Sequence, residues 1–338
     1  MVLVTGATGI LGRVIVLELL KLGKKVRAAK RCSGDLEEVK NSMACYAENA
    51  EFLFRQIQWV DLDLKNCNSL TKALVGIEEV FHCAAMLSYD PQDLNQINQV
   101  NVGGTINLLK CCRTAGVEKF LFVSSATVYE AKNDEIITEN STFIEAERST
   151  VYALSKLRAE KAVCEAAAKG MKTIIINPGL IIGSGKWNEK GGGLINILAT
   201  RNYTFPGGTG FADVRDVAKI AVLLMSKGLF GSRFLVSSEN VTYREISNHI
   251  KCQLRDKKSW MLSVFILRLS CAINRLTGSF IPGLRMLTAP NVEFLTSFYK
   301  LSNCRVSKIL DYQFIPLEES LSFHIGNFLD YKSSHSNW

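Results

Sequence analysis

The stretch Val4-Thr5-Gly6-Ala7-Thr8-Gly9-Ile10-Leu11-Gly12 joins an apolar run, Val2 to Thr5, to a helical pattern, Ile10 to Leu22. Its glycines are spaced GxxGxxG, one residue wider in the first gap than the usual dinucleotide fingerprint. Gly6 permits a tight turn, Gly9 lets the backbone approach a pyrophosphate, and Gly12 lets helix and strand pack closely. The start of the following helix offers unpaired N–H groups and a positive dipole end to an anion. Glycines also occur in ordinary strand–helix turns. The position decides here: after a strand, before a helix, at the head of a βαβ unit. That context selects Gly6, Thr8, Gly9, Ile10, Leu11 and Gly12 as dinucleotide-binding residues.

Outward from this turn, apolar runs alternate with helical patterns. Strands are predicted at Lys25 to Lys30, Ile57 to Val60, Glu79 to His82, Lys119 to Ser124 and Thr173 to Asn177. Helices are predicted at Ser69 to Val75, Leu94 to Ala115 and Val151 to Lys169, the last two closed by Gly116 and Gly170. Strands that are continuous apolar runs between helices indicate a parallel sheet covered on both faces. The expected class is therefore α/β, a Rossmann-type doubly wound parallel sheet. After Pro178 the rhythm changes. Five glycines between Gly183 and Gly193 read as a loop, followed by a helix at Asp213 to Lys227 and a strand at Arg233 to Val236. A further helix starts near Thr242, with Glu245 in the capping-box position. The remainder reads as helical, punctuated by Pro282, Pro290 and Pro316. Residues 1–178 are expected to form the nucleotide-binding domain. Residues 179–338 would be mainly a smaller substrate-binding lobe, with one or two segments returning to the sheet.

The second strand discriminates between cofactors. An NAD enzyme usually carries an acid at its end to bond the ribose 2′-hydroxyl. Lys30 and Arg31 stand there instead, and a guanidinium can bind a 2′-phosphate bidentately. NADP(H) is the preferred cofactor on this reading, with NAD(H) as the alternative.

Composition narrows the class. Of 338 residues, 47% are apolar and 21% charged, enough to form a core and unlike a disordered chain. The net charge of +8 comes from 40 basic and 32 acidic residues without long single-sign runs, so no nucleic-acid partner is expected. The densest basic stretch, Arg255, Lys257 and Lys258 with Lys251 upstream, reads as a solvated helix end. Ten irregularly spaced cysteines include no CxxC pair, and the chain opens on an apolar strand. These features predict a reduced, cytoplasmic protein without a disulfide framework. Four scattered histidines predict no metal site. The apolar stretch Trp260 to Ile273 is interrupted by Arg268 and falls short of the ~20 residues of a spanning helix. A buried or lid helix is expected there, with peripheral membrane contact as the alternative.

Tyr152 and Lys156 stand four apart at the start of a predicted helix, which places them on one face. An ammonium near a phenol favours the phenolate and is expected to lower the tyrosine pKa, fitting it for acid–base work. Ser124 and Ser125 lie at the C-terminal end of a parallel strand, where ligands sit in doubly wound sheets. A hydroxyl there can bond a substrate oxygen as charge develops on it. A lone Tyr-x-x-x-Lys pair is usually a solvated helix face. Combined with the glycine turn and the strand-end serine, it points to Ser125, Tyr152 and Lys156 as a catalytic set.

With these residues in place, the chain resembles an extended short-chain dehydrogenase/reductase of the epimerase/dehydratase superfamily. The resemblance rests on TGATGILG (Thr5–Gly12), VDLDL (Val60–Leu64), VFHCAA (Val80–Ala85), NVGGT (Asn101–Thr105), FLFVSSATVYE (Phe120–Glu130), YALSK (Tyr152–Lys156) and NPGLIIGSG (Asn177–Gly185). DVRDVA (Asp213–Ala218) and LDYQFIPLEESL (Leu310–Leu321) extend it over nearly the whole chain. It implies that Ser125 polarises the substrate oxygen, Tyr152 exchanges the proton, and Lys156 bonds the nicotinamide ribose. It further implies that Asp61 and Leu62 border the adenine, Ala84 and Ala85 line the cofactor, Ser124 adjoins it and Pro178 lies near the nicotinamide. Asn101 is implied to be structural, and His82, inside an apolar strand, reads as a packed core residue. The resemblance also implies a homodimer through the helices carrying Asn107–Cys112 and Tyr152–Cys164.

Within the superfamily, Ser125-Ala126-Thr127 replaces the Thr-Asp-Glu usual in sugar dehydratases. Gly210-Phe211-Ala212 stands where sugar-nucleotide enzymes tend to place a diphosphate-binding arginine. VRAAKR (Val26–Arg31) and FADVRDVA (Phe211–Ala218) look more like dihydroflavonol-4-reductase-type enzymes, and the tail also resembles 3β-hydroxysteroid dehydrogenases. The expected function is hydride transfer between NADP(H) and a small ketone, aldehyde or alcohol. A nucleotide-sugar epimerase and a non-catalytic NADP(H) sensor are the competing readings.

Overall fold

The apolar runs pair into one sheet. The computed structural model of the chain describes residues 1–130, 135–185, 187, 194–277 and 284–334. The strands in chain order are β1 (Val2–Thr5), β2 (Val26–Lys30), β3 (Gln58–Asp61), β4 (Glu79–His82), β5 (Lys119–Val123), β6 (Lys172–Pro178), β7 (Leu180–Ile182), β8 (Tyr203–Thr204), β9 (Gly208–Asp213), β10 (Ser232–Val236), β11 (Glu239–Thr242), β12 (Trp260–Met261) and β13 (Phe298–Tyr299). The helices are α1 (Ile10–Lys21), α2 (Leu36–Ala44), α3 (Ala50–Phe54), α4 (Cys67–Leu74), α5 (Leu94–Ile97), α6 (Gly104–Ala115), α7 (Val151–Ala168), α8 (Leu194–Thr200), α9 (Val214–Ser226), α10 (Tyr243–Gln253), α11 (Val264–Leu276), α12 (Ala289–Thr296), α13 (Cys304–Leu310) and α14 (Leu317–Ser334).

The main sheet has seven strands in the order β10-β6-β5-β4-β1-β2-β3, and all its pairings are parallel. The order reverses between β1 and β4, which opens a crevice beyond their C-terminal ends, the usual ligand position in such sheets. Alternation along β1 feeds two cores. Val2 and Val4 join the α1 and α9 side, while Leu3 points to the side of α4 and α6. Burying both faces explains why these strands read as continuous apolar runs. This is a Rossmann-like α/β fold.

Beyond β6 the chain builds a smaller sheet, β11-β9-β13 with β7 also on β9. Its core holds Phe211, Val241, Ile246, Ile250, Leu321, Ile325 and Phe328. The segment returning to the main sheet is β10, which pairs with β6. Thr242 caps α10 in a capping box, its hydroxyl accepting from Glu245 N while Glu245 reaches back to Thr242 N.

Three expectations change. The helix predicted over Leu94 to Ala115 is broken by a π-helical segment, Asn98–Gly103. The extra residue turns Asn101 inward, where its Nδ2 donates to Met86 O and Ser155 Oγ and its Oδ1 accepts from Met86 N. Lys251 is not part of a solvated helix end. It is buried, donating to Ala199 O at 2.8 Å and paired with Asp256 at 2.7 Å. The apolar stretch Trp260 to Ile273 is not buried either: within α11 only Leu267 and Asn274 are. Its hydropathy signalled an apolar surface without saying which way that surface faces. In the glycine-rich segment Gly183–Gly193, residue 186 and residues 188–193 lie outside the described residues, as does Pro282.

Candidate active site

The turn from β1 to α1 closes tightly. Gly6 adopts a left-handed conformation, φ +68°, and a Cβ on it would stand 2.7 Å from Ala84 Cα. A Cβ on Gly12 would stand 2.2 Å from Gly6 O, so the backbone has no room for a side chain there. Gly9 precedes the first turn of α1, and its N–H donates to Gly6 O at 2.9 Å. Thr8 and Ile10 are half-buried and Leu11 is buried. The sequence reading missed Arg13. Its side chain is fully buried, and its guanidinium donates to Thr8 O, to Gly9 O at 3.2 Å and to both carboxylate oxygens of Glu38 at 2.8 Å. It holds the carbonyls of the turn inward, which leaves the opposite, N–H side of the turn for a ligand. A basic residue inside the apolar stripe of α1 was the available signal.

At the ends of β2 and β3, Lys30 and Asp61 face each other in register and form an ion pair at 2.5 Å. Arg31, one residue on, is exposed and has no ion-pair partner among the described residues. Leu62 is buried and its N–H donates to Lys30 O. Of the residues implied to line the cofactor, Ala84 is half-buried against Gly6, Ala85 is exposed, and Pro178 is buried at the end of β6. His82 is fully buried, bonded through both ring nitrogens to Thr5 and Thr105. Burial, with Lys156 nearby, lowers its pKa to about 3, so it stays neutral and structural.

Beyond β5, the Ser124 hydroxyl is buried and has no hydrogen-bond partner among the described residues. An orphaned donor at the mouth of the crevice fits a polar ligand there. Ser125 Oγ accepts from Thr127 N at 3.3 Å and from Thr127 Oγ1 at 2.9 Å, so its own proton remains free to donate. Lys156, on the first turns of α7, is 3% exposed and donates to Val123 O at 2.5 Å. Its ammonium lies 4.3 Å from the Phe122 ring centroid. Burial lowers its pKa to about 8, with Cys83 and Glu160 acting in the opposite direction.

The expected acidification of Tyr152 is not seen. Burial, reinforced by Tyr89, pushes its phenol well above the ordinary tyrosine value, and desolvation dominates any effect of Lys156. The phenol is thereby held protonated. The ring sits 6.1 Å from Tyr89, which stacks on Phe294 at 5.7 Å, and Phe294 in turn neighbours Tyr243 and Tyr299. This aromatic wall was invisible to sequence reasoning because its members come from four separate segments. The glycine turn, the strand-end serines and Lys156 thus lie at the C-terminal ends of β1, β4 and β5, and Tyr152 stands one turn before Lys156 on α7. A buried orphan hydroxyl and a glycine turn that opens directly onto the N-terminus of α1 suit a dinucleotide.

Comparison with known proteins agrees with this geometry. The family model described as NAD dependent epimerase/dehydratase family matches residues 2–236. "Sterol demethylase protein B" of Methylococcus capsulatus is 32% identical over 247 residues, 72% of this chain and 71% of that protein. "Dihydroflavonol 4-reductase" of Arabidopsis thaliana is 29% identical over 266 residues, covering 74% and 68%. Among solved structures, that of gox2253 superposes with a TM-score of 0.81 at 24% identity, covering 98% of both chains. MoeE5 in complex with UDP-glucose and NAD superposes with a TM-score of 0.73 at 21% identity, covering 98% and 99%, and shares the fold. With the turn, the parallel sheet and the matched length in agreement, the chain belongs to the NAD dependent epimerase/dehydratase family and is a nicotinamide-dependent enzyme.

Proposed function

We propose that the chain is an NADP(H)-dependent reductase of ketones or aldehydes, able to run the reverse alcohol oxidation. The observation that carries this reading is a phenol held protonated against an aromatic wall, one helical turn before Lys156, with a serine hydroxyl free to donate just beyond β5. Ser125 donates to the substrate oxygen and steadies it as charge develops. Tyr152 then releases its proton to that oxygen, acting as general acid. Lys156 holds the ribose and supplies positive charge that compensates the departing phenolic proton. The bound nicotinamide supplies the hydride. The turn Gly6–Gly12 carries the diphosphate, Asp61, Leu62, Ala84, Ala85 and Pro178 line the remainder, and Ser124 gains a partner.

Lys30 is already neutralised by Asp61, so the NADP preference rests on Arg31, whose guanidinium remains available for a 2′-phosphate. An aromatic wall favours an apolar substrate over a sugar nucleotide. Phe211 and Ala212 are fully buried in β9 and offer no cation to a diphosphate. A homodimer would pair α6 and α7, which border an outward-facing cleft of about 590 Å³.

The test is NADPH consumption across apolar ketones and aldehydes, with NADH in parallel. Turnover that is stoichiometric in NADPH and lost in Tyr152→Phe is expected. A redox-neutral conversion of UDP-sugars, or full reduction rates in Tyr152→Phe, would overturn the assignment.

A further inference from the structure

Helix α11 is built inside out. A surface helix ordinarily buries its apolar stripe and exposes its polar one. Here Phe265, Ile266, Leu269, Ile273 and Leu276 are 38–87% exposed, whereas the buried positions are Leu267 and the polar Asn274. At about 100° per residue the five exposed side chains share an arc of about 100°, turned away from Leu267 and Asn274. Strand β12, just upstream, adds Trp260 and Met261, also exposed, and Met286 lies beyond the helix. Eight of the seventeen large apolar side chains exposed among the described residues fall between 260 and 286. Single exposed apolar residues are ordinary, but a cluster of this kind marks a binding surface.

The charge around the cluster identifies the partner. Residues 257–277 contain Lys257, Lys258, Arg268 and Arg275 and no acid. All four cations are exposed and without ion-pair partners among the described residues. A second copy of the chain docked by a two-fold axis would set this patch against itself, crowding eight cations into one seam with no acid but Asp256, which is already paired with Lys251. An anionic lipid surface supplies both the apolar layer and the negative charge. Trp260 suits the interfacial depth where indole rings settle. No helix of the described residues is long and apolar enough to cross a membrane, so such contact would lie in the plane of the surface.

The helix is also tied to the site. It packs on α12, whose Phe294 stacks on Tyr89 and whose Asn291 Nδ2 donates to Tyr89 O at 2.7 Å. Tyr89 flanks Tyr152.

We propose that β12 and α11 form an in-plane docking face for an anionic phospholipid bilayer. Its substrate is a lipophilic carbonyl or alcohol drawn from that bilayer, a second half that rests on the reductase reading above.

The test uses the full chain and vesicles of phosphatidylcholine with or without an equal part of phosphatidylglycerol. Co-sedimentation with the anionic vesicles is expected, weakened by high salt. Phe265→Glu/Leu269→Glu and, separately, Arg268→Glu/Arg275→Glu should each bind roughly tenfold or more weakly. Both pairs are exposed, and an unchanged urea midpoint checks their folding. Failure of the wild type to sediment with anionic vesicles would overturn the docking face. So would unchanged binding in both variants, or a wild-type dimer that Phe265→Glu/Leu269→Glu splits. NADPH consumption with a water-soluble ketone, measured without vesicles, separates the two readings. Its absence in the wild type overturns the reductase reading and leaves vesicle binding to be judged alone. Vesicle binding without a faster rate on a vesicle-borne lipophilic ketone overturns the substrate half.

Discussion

Replacing Lys156 with methionine should stabilise the cofactor-free protein while abolishing its activity. The ammonium is buried against Phe122 and Val123, and its pKa falls from 10.5 to about 8. Each unit corresponds to about 1.4 kcal/mol, so keeping the lysine charged in the folded state near neutral pH costs about 3 kcal/mol. A lysine with a depressed folded pKa is destabilising in full below that folded value. The cost fades between pH 8 and 10.5 and is gone above the unfolded value. Methionine matches the length of the stem and removes the charge. It also removes the bond to Val123 O, which returns about 1 kcal/mol of loss. The variant should therefore be about 2 kcal/mol more stable at about pH 6.5, and its position relative to wild type should worsen by about 2 kcal/mol by about pH 9.5. Urea unfolding of both cofactor-free proteins at the two pH values measures this directly. A variant less stable than wild type by the same amount at both would refute the reasoning, because the ammonium would then not be desolvated.

Gly12→Ala places a Cβ 2.2 Å from Gly6 O, a backbone clash that should cost about 1–3 kcal/mol and most of the NADPH affinity. NADPH bound at wild-type affinity in a fluorescence titration would contradict it. Arg31→Ala should raise the KM for NADPH with little change for NADH. Asp61→Asn frees Lys30 from its ion pair and should lower the KM for NADPH, and steady-state kinetics with both cofactors distinguish the two. Asp213 is fully buried and accepts from Arg215, Ser320 and His324, so Asp213→Ala should cost about 3–5 kcal/mol. Those donors hold its carboxyl well below the ordinary carboxylate range. Its contribution is present above the unfolded value of 3.8 and is lost only as pH falls through the lower folded one. The deficit in urea unfolding should accordingly be flat from about pH 5 to about pH 9.5, whereas the gain from Lys156→Met shrinks above about pH 8.

The parts legible in the sequence were those set by neighbours along the chain. Burial on both faces made β1, β4, β5 and β6 read as apolar runs. The turn at Gly6 and the packing at Gly12 each leave room for glycine alone, and Tyr152 and Lys156 share a face because a helix repeats every 3.6 residues. Short elements such as β7, β11 and β13 carry too few residues for a period to show. The aromatic wall draws on Tyr89, Tyr243, Phe294 and Tyr299, which only tertiary packing brings together.

Two misreadings share one physical cause. Hydropathy in α11 and the Tyr152–Lys156 spacing each identified the groups involved but not how much water reaches them. In α11 the missing quantity was the direction of the apolar face: of the buried or lid helix expected there, the buried option fails, and its apolar side chains stand in solvent. At Tyr152 it was the depth of burial, which raises the phenol where the spacing to Lys156 had suggested a lowering. Reversed, the shift would serve the proposed carbonyl reduction better than the expected one. A phenolate must first collect a proton before it can act as an acid, whereas a buried phenol arrives with the proton that the reduced oxygen needs. On the proposed reading, the acid form would be favoured until charge builds on the substrate oxygen, and the charge of Lys156 would then offset the loss of that proton.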